Sequence, residues 1–265
     1  MRVPLELTGL SKTFETPSGP LVVLKNVNLR VQKSEFVCIL GHSGCGKSTL
    51  LSIVAGLQTA TEGGVAIDGR EVVSPGLERA VVFQTPCLLP WMTARENVRL
   101  AIDQARPKLS RSGQSAEADR YLGVVGAAES RVRLPGELSL GTQQLVSLAR
   151  ALALEPRFLL LDEPFSMLDS LTRFELQDTL LHVWEQHRRI VMMVTHDIDE
   201  ALYLADRLVL MTDGPEAHIG ESLPVPFPRP RVRATVLADP KYYEYRRRVL
   251  DFLDNHARQS RIVAA

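Results

Sequence analysis

Eight consecutive residues carry the clearest chemistry in the chain. Gly41-His42-Ser43-Gly44-Cys45-Gly46-Lys47-Ser48 fits the pattern of a glycine, four residues, then Gly-Lys-Ser/Thr. It follows the apolar run Phe36–Leu40 directly and precedes a helical run, Ser48–Leu57. Strand, glycine-rich turn and helix in that order are what a phosphate-binding loop requires. The glycines let backbone N–H groups turn inward around phosphate oxygens, and the helix N-terminus adds about half a positive charge. Lys47 would reach the β- and γ-phosphates and Ser48 would offer its hydroxyl to Mg²⁺. Thr49, the next residue, belongs to the same candidate set.

A second stretch supplies acids. Phe158-Leu159-Leu160-Leu161-Asp162-Glu163 reads as a buried strand ending in two carboxylates. Asp162 could hold a Mg²⁺ ion through its water shell. Glu163, one residue further out, could polarise an attacking water. Taken alone, such a strand could simply exit into solvent. With the phosphate loop it makes a complete Mg²⁺–nucleotide site.

The chain resembles the ATP-binding subunit of ABC transporters over roughly residues 5–222. Leu138-Ser139-Leu140-Gly141-Thr142-Gln143-Gln144 stands where that family has its signature loop. Gln84 ends a strand as the Q-loop glutamine does, and Ser166-Met167-Leu168-Asp169 matches the D-loop. His196 matches the switch histidine, and Phe14 falls where an aromatic stacks on adenine. The resemblance implies ATP and Mg²⁺ as ligands. It implies that Glu163, His196 and Gln84 act in hydrolysis, with Ser48, Gln84 and Asp162 near the metal. It also implies a head-to-tail dimer in which Ser139, Gly141, Gln143 and Asp169 of one subunit approach the nucleotide of the other. Leu140 replaces the signature's first glycine, a residue that permits close phosphate approach and unusual φ. A weakened cap on the partner's ATP is therefore expected.

The family comparison extends to partners. The second ATPase subunit would be identical or paralogous, and membrane permease subunits would dock on the region after Gln84, where Leu88-Leu89-Pro90-Trp91 is apolar. That wording is similar to importers of nitrate, taurine and alkanesulfonates, which also use a periplasmic or lipoprotein solute-binding protein. Pro164–Gln177, Met193–Leu202, Val225–Arg231 and Pro240–Tyr243 resemble the nitrate branch most. A small anion, nitrate foremost, is the expected cargo, with taurine, alkanesulfonate or another small solute as the alternative. A DNA-repair ABC ATPase would split the cassette with a long coiled coil, and no sustained heptads interrupt this chain. The resemblance places the subunit peripherally on the cytoplasmic face of the membrane.

The elements that must position these residues follow from pattern. Strands alternating with helices imply an α/β fold with a mainly parallel core sheet. Strands are expected at 3–9, 21–31, 36–40, 64–68, 79–84, 158–162, 190–195 and 207–212, with helices at 48–57, 116–125, 142–154, 170–187 and 197–205. A further helix starts near Thr93, which can cap it. Residues 103–118 are rich in Ser, Arg and Gln and read as a surface stretch. The resemblance adds an N-terminal antiparallel β subdomain and an inserted helical subdomain at about 93–155 within an ATPase domain of 1–222. Residues 223–265 form a proline-rich extended segment and a last helix near 240–256, since alternating prolines exclude helix.

Composition bounds the rest. The chain has 265 residues with 31 Lys+Arg against 31 Asp+Glu, so bulk charge does not drive nucleic-acid binding. No apolar run approaches the ~20 residues that span a bilayer. Three cysteines without a CxxC, and six histidines without HExxH, argue against a disulfide framework or a zinc site.

Overall fold

The structure, a computed structural model, describes residues 4–263, and their side chains as far as His256. The chain begins with β1 (Leu5–Thr16), β2 (Gly19–Val31), β3 (Phe36–Leu40), α1 (Lys47–Ala55), β4 (Glu62–Ile67) and β5 (Arg70–Glu71). It continues through β6 (Arg79–Val82), α2 (Ala94–Ala105), α3 (Arg111–Val124), α4 (Leu140–Ala153), β7 (Phe158–Asp162) and α5 (Ser170–His187). The remainder is β8 (Ile190–Thr195), α6 (Ile198–Leu204), β9 (Arg207–Met211), β10 (Ile219–Pro224), α7 (Arg233–Ala238) and α8 (Pro240–Val263). Two compact units result: residues to Pro75 together with those from Ile190 on, and Gly76–Arg189.

The first unit holds two kinds of sheet. An antiparallel one runs in the order β2-β1-β4-β5. The other part runs β10-β9-β3-β8, with β3 parallel to both β8 and β9 and β10 antiparallel on β9. Every residue of β3 and of β8 is buried, which is why both read as unbroken apolar runs rather than alternating ones. Leu40 pairs with Thr195 and with Leu210, so three strands end level and release their following loops at one edge. That edge, beyond the strands' carboxyl ends, is where open α/β sheets bind ligands.

The second unit repeats the device with fewer strands. β6 and β7 are parallel, Val82 opposite Leu161, and α2 to α5 surround a core that includes Ile102, Leu122, Val146 and Leu152. These helices share their unit with β6 and β7. Among the described residues, no helix is long and apolar enough to cross a membrane.

Several boundaries differ from the sequence reading for stated reasons. β1 and β2 run on through the expected loop at 15–20, closing as a hairpin with Thr16 opposite Gly19. The polar stretch 103–118 contains the start of α3, capped by Ser110, whose Oγ accepts the Gly113 N–H at 3.2 Å. Its buried face includes Gln114, satisfied by Asp103 at 2.8 Å, so burial there is polar and leaves no apolar period to read. α4 begins at Leu140, two residues earlier than expected, because Ser139 is its N-cap. β10 and the short α7 were not anticipated.

α2 starts as expected after Thr93, with a full capping box: Thr93 Oγ1 accepts the Glu96 N–H at 3.3 Å and Glu96 Oε2 accepts the Thr93 N–H at 2.9 Å. Replacing Thr93 with Ala removes one half of that exchange. Chemical denaturation should show a loss of about 1 kcal/mol, and an unchanged midpoint would mean that the cap adds nothing.

Candidate functional site

In the first unit the chain leaves β3 at Leu40 and enters α1 at Lys47. Gly46, the N-cap of α1, has φ of 93°, and a Cβ there would lie 2.8 Å from Val23 and Leu24. Only glycine meets both conditions. Gly46 brings no side-chain acceptor, so the first N–H groups of the helix are not capped by that residue.

Lys47 is the centre of this half. It is only 5% exposed, and its Nζ donates to Gly41 O at 2.8 Å and to His42 O at 2.9 Å. Among the described residues no carboxylate pairs with it. Those two carbonyls take two of the three ammonium donors, and a charge-assisted bond to an anion is stronger than one to a neutral acceptor. His42, Ser43 and Gly44 line a cavity of about 300 Å³ together with Leu21–Val23 of β2 and residues 213–215. His42 Nδ1 lies 3.4 Å from Asp213 Oδ1. Cys45 is buried and burial raises its thiol pKa, so it stays a thiol near neutral pH. Ser48 and Thr49 continue into the first turn of α1.

Two further candidates belong to this unit. Phe14 is half-buried on β1 opposite Leu21, with the Lys12 ammonium 4.9 Å from its ring centroid. His196 is exposed and sits one residue beyond β8. Since Leu40 pairs with Thr195, Gly41 and His196 leave neighbouring strands side by side.

The second unit gathers the acids and the signature residues. The β6–β7 register sends Gln84 and the Asp162–Glu163 pair out at the same end. Gln84 Nε2 donates to Ser166 Oγ at 3.0 Å, and that hydroxyl donates to Glu163 O at 3.0 Å. Glu163 has φ of 44°, a left-handed conformation that a non-glycine residue holds only when its surroundings impose it. Such outliers cluster at functional sites.

Ser139 caps α4 through its hydroxyl, which accepts the Thr142 N–H at 3.2 Å. Leu140 is the first helical residue and has no positive φ, so its backbone asks for no glycine. The crowded position is Gly141, where a Cβ would lie 2.4 Å from Thr172 Cγ2. Thr172 in turn donates its hydroxyl to Asp169 Oδ2 at 2.6 Å, and Asp169 Oδ1 accepts the Leu171 and Thr172 N–H groups. The start of the signature helix therefore packs directly on the cap of α5. Gln143 folds back onto its own loop, donating to Leu138 O at 3.1 Å.

Arg150, and Gln144 at the end of the signature segment, have structural partners that the sequence did not indicate. Gln144 is buried and donates to Phe83 O at 3.0 Å. Arg150 donates to Cys87 O at 2.9 Å and Pro86 O at 3.1 Å. Both lie on α4, so one helix grips the chain on either side of Gln84. Their only sequence signal was polarity at positions on an otherwise apolar helix face. Beyond Gln84, Trp91 is 71% exposed whereas Leu88 and Leu89 are half-buried.

A family model described as ABC transporter matches residues 24–166. The nitrate import ATP-binding protein NrtD of Synechococcus elongatus is 53% identical, covering 94% of this chain and 91% of the relative. The bicarbonate transport ATP-binding protein CmpD of Synechocystis sp. is 51% identical, covering 95% and 89%. Among solved structures, the dimeric post-hydrolysis state of the ATP-binding cassette MJ0796 bound to ADP and Pi superposes with a TM-score of 0.76 at 33% identity, covering 84% of this chain and 99% of that one.

The Asp169 cap makes a measurable claim. The Thr172 hydroxyl, and after it the Thr172 N–H, hold the Asp169 carboxyl below the usual aspartate range. A depressed carboxyl stabilises the fold above its unfolded pKa, and that contribution is lost as pH falls through the folded value. Thr172→Val should move the Asp169 titration, read by carboxyl-carbon NMR, back toward the ordinary value. A curve identical to the wild type would show that the hydroxyl bond is not made.

Proposed function

The chain belongs to the ABC transporter family as an ATP-binding, ATP-hydrolysing subunit, and we propose that it powers the import of nitrate through a separate membrane permease. The 53% identity to a nitrate import ATP-binding protein, over nearly the whole of both chains, carries the choice of nitrate. A second reading, bicarbonate, is favoured by the 51% identity to a bicarbonate transport relative. Both solutes are small planar oxyanions of one negative charge. The subunit sits peripherally on the cytoplasmic face, its permease docking over the exposed Trp91 and its half-buried neighbours, as aromatic anchors at interfaces do.

The chemistry assigned to each side chain follows from its surroundings. Lys47, a buried cation held by two carbonyls, binds the β- and γ-phosphates of ATP. The N–H groups of the loop and of the first turn of α1 take the remaining phosphate oxygens. Phe14 stacks on the adenine. Ser48 in one unit, and Gln84 and Asp162 in the other, carry the oxygen donors that a hard divalent ion takes, and Mg²⁺ would supply neutralisation of charge on the phosphate oxygens. Glu163 accepts a hydrogen bond from the attacking water and takes up its proton as the new P–O bond forms. The bond from the γ-phosphorus to the ADP oxygen breaks, leaving ADP and inorganic phosphate. His196 orients the γ-phosphate. Gln84, tied to Ser166 and through it to Glu163, links the acid to the segment that meets the permease.

A second ATPase subunit, identical or paralogous, completes the site. Ser139 and the first N–H groups of α4 offer the far side of the γ-phosphate the same helix-end polarity that α1 offers the near side. Gly141, Gln143 and Asp169 line that approach. ATP then draws two subunits together and hydrolysis releases them, which drives the permease.

Reconstitution with the cognate permease and solute-binding protein tests the reading. Nitrate should stimulate ATP turnover while bicarbonate and taurine leave it unchanged. Stimulation by bicarbonate alone would transfer the assignment to that anion, and no stimulation by any solute would remove the importer reading. In the same system Glu163→Gln should keep ATP affinity and lose turnover by roughly 10²–10⁴-fold, with a dimer accumulating in gel filtration with ATP and Mg²⁺. Near-normal turnover in that variant would take Glu163 out of the role.

A further inference from the structure

The segment after β10 wraps one short helix from both ends. α6 starts two residues after His196, with Asp197 between them as its N-cap. On its first turn Asp199 Oδ1 accepts two bonds from α8: the Tyr242 hydroxyl at 2.7 Å and Arg246 Nε at 2.7 Å. Tyr242 is itself buried, its ring 6.5 Å from that of Phe227. At the far end of α6, Arg231 donates to Tyr203 O at 2.8 Å, with its side chain 1% exposed. Arg229 donates to Leu204 O and places two nitrogens on Asp206 Oδ1. Asp206 Oδ2 accepts the N–H of Phe36, the first residue of the strand that leads into the phosphate loop.

Burying a guanidinium such as that of Arg231 costs more in desolvation than a single ion pair returns. The negative end of a helix, presented by its last carbonyls, offsets part of that cost. What such an arrangement supplies is one fixed position for the helix. α6 is held along its length and at both ends, and the residue before its N-cap is His196.

We propose that the C-terminal segment is a clamp on α6 that sets where His196 stands, with Tyr242, Arg246 and Arg231 as its positioning residues. The proposal rests on the reading of His196 as the group that meets the γ-phosphate. The clamp acts through His196 and touches no nucleotide. Loosening it costs turnover and leaves the ground-state grip on ATP, which belongs to Lys47 and its loop.

The test uses the full chain and its ATP turnover. Tyr242→Phe combined with Arg246→Met removes both donors to Asp199 and keeps the buried ring. It should lower kcat roughly tenfold, as expected of a displaced active-site group. KM for ATP and the affinity for ADP should stay within about twofold. In a His196→Ala background the same pair of changes should cost nothing further, since both act on one group. Asp199→Arg with Arg246→Asp reverses the ion pair and should recover turnover that either single change loses. Unchanged kcat in the tail variant, an equal further loss in the His196→Ala background, or a rise in KM at constant kcat would each overturn the clamp. Loss of turnover in His196→Ala beside a silent tail variant removes the clamp alone. Full turnover in His196→Ala removes the reading of that histidine, and the clamp with it.

Discussion

A buried ammonium bonded to two loop carbonyls sets the terms for the rest of this molecule. Lys47 is almost wholly buried, and its partners are two carbonyls of the loop that surrounds it. Holding it there requires a rigid floor. The all-buried β3 supplies that floor, and the left-handed turn at Gly46 brings the helix start up against β2. Two of the three Lys47 N–H donors meet the carbonyls of Gly41 and His42, which fixes the ammonium inside the loop.

Register does the remaining placement in each unit. Parallel strands that end level must release their loops at one edge, so Gly41 and His196 emerge together in one unit, and Gln84 with Asp162 and Glu163 in the other. No side chain has to be steered there individually. Glu163 takes a positive φ where the chain turns away directly after β7.

Around these edges buried and half-buried polar side chains hold backbone carbonyls. Arg150 and Gln144 hold backbone carbonyls beside Gln84, and Arg229 and Arg231 hold the last carbonyls of α6. Burial lowers the pKa of Arg150 and brings that of Arg231 to about 10, the mark of a real desolvation cost. Apolar packing would let these segments slide, whereas a guanidinium fork accepts few geometries. The same polarity governs the signature, where Ser139 and Asp169 spend their oxygens on helix caps before any nucleotide is considered.

What the sequence determined by itself is short-range. The phosphate loop, the acidic strand and the cap at Thr93 are each written in a few adjacent residues, and α5 and β8 fall on the residues their patterns indicated. Motif order along the chain was enough to reach the family. The start of α3, the strand β10 and the partners of Gln144, Arg150 and Arg231 were decided only by the tertiary structure. For Gln144, Arg150 and Arg231 the acceptor lies far along the chain, as with Arg150 and Pro86 or Arg231 and Tyr203. A polar side chain states that it needs a partner, but which carbonyl or carboxylate meets it depends on how the chain folds back. Leu140 illustrates the same limit in reverse. Of the two consequences expected from its departure from glycine, the φ is ordinary, and within the subunit the tight contact falls one residue later at Gly141.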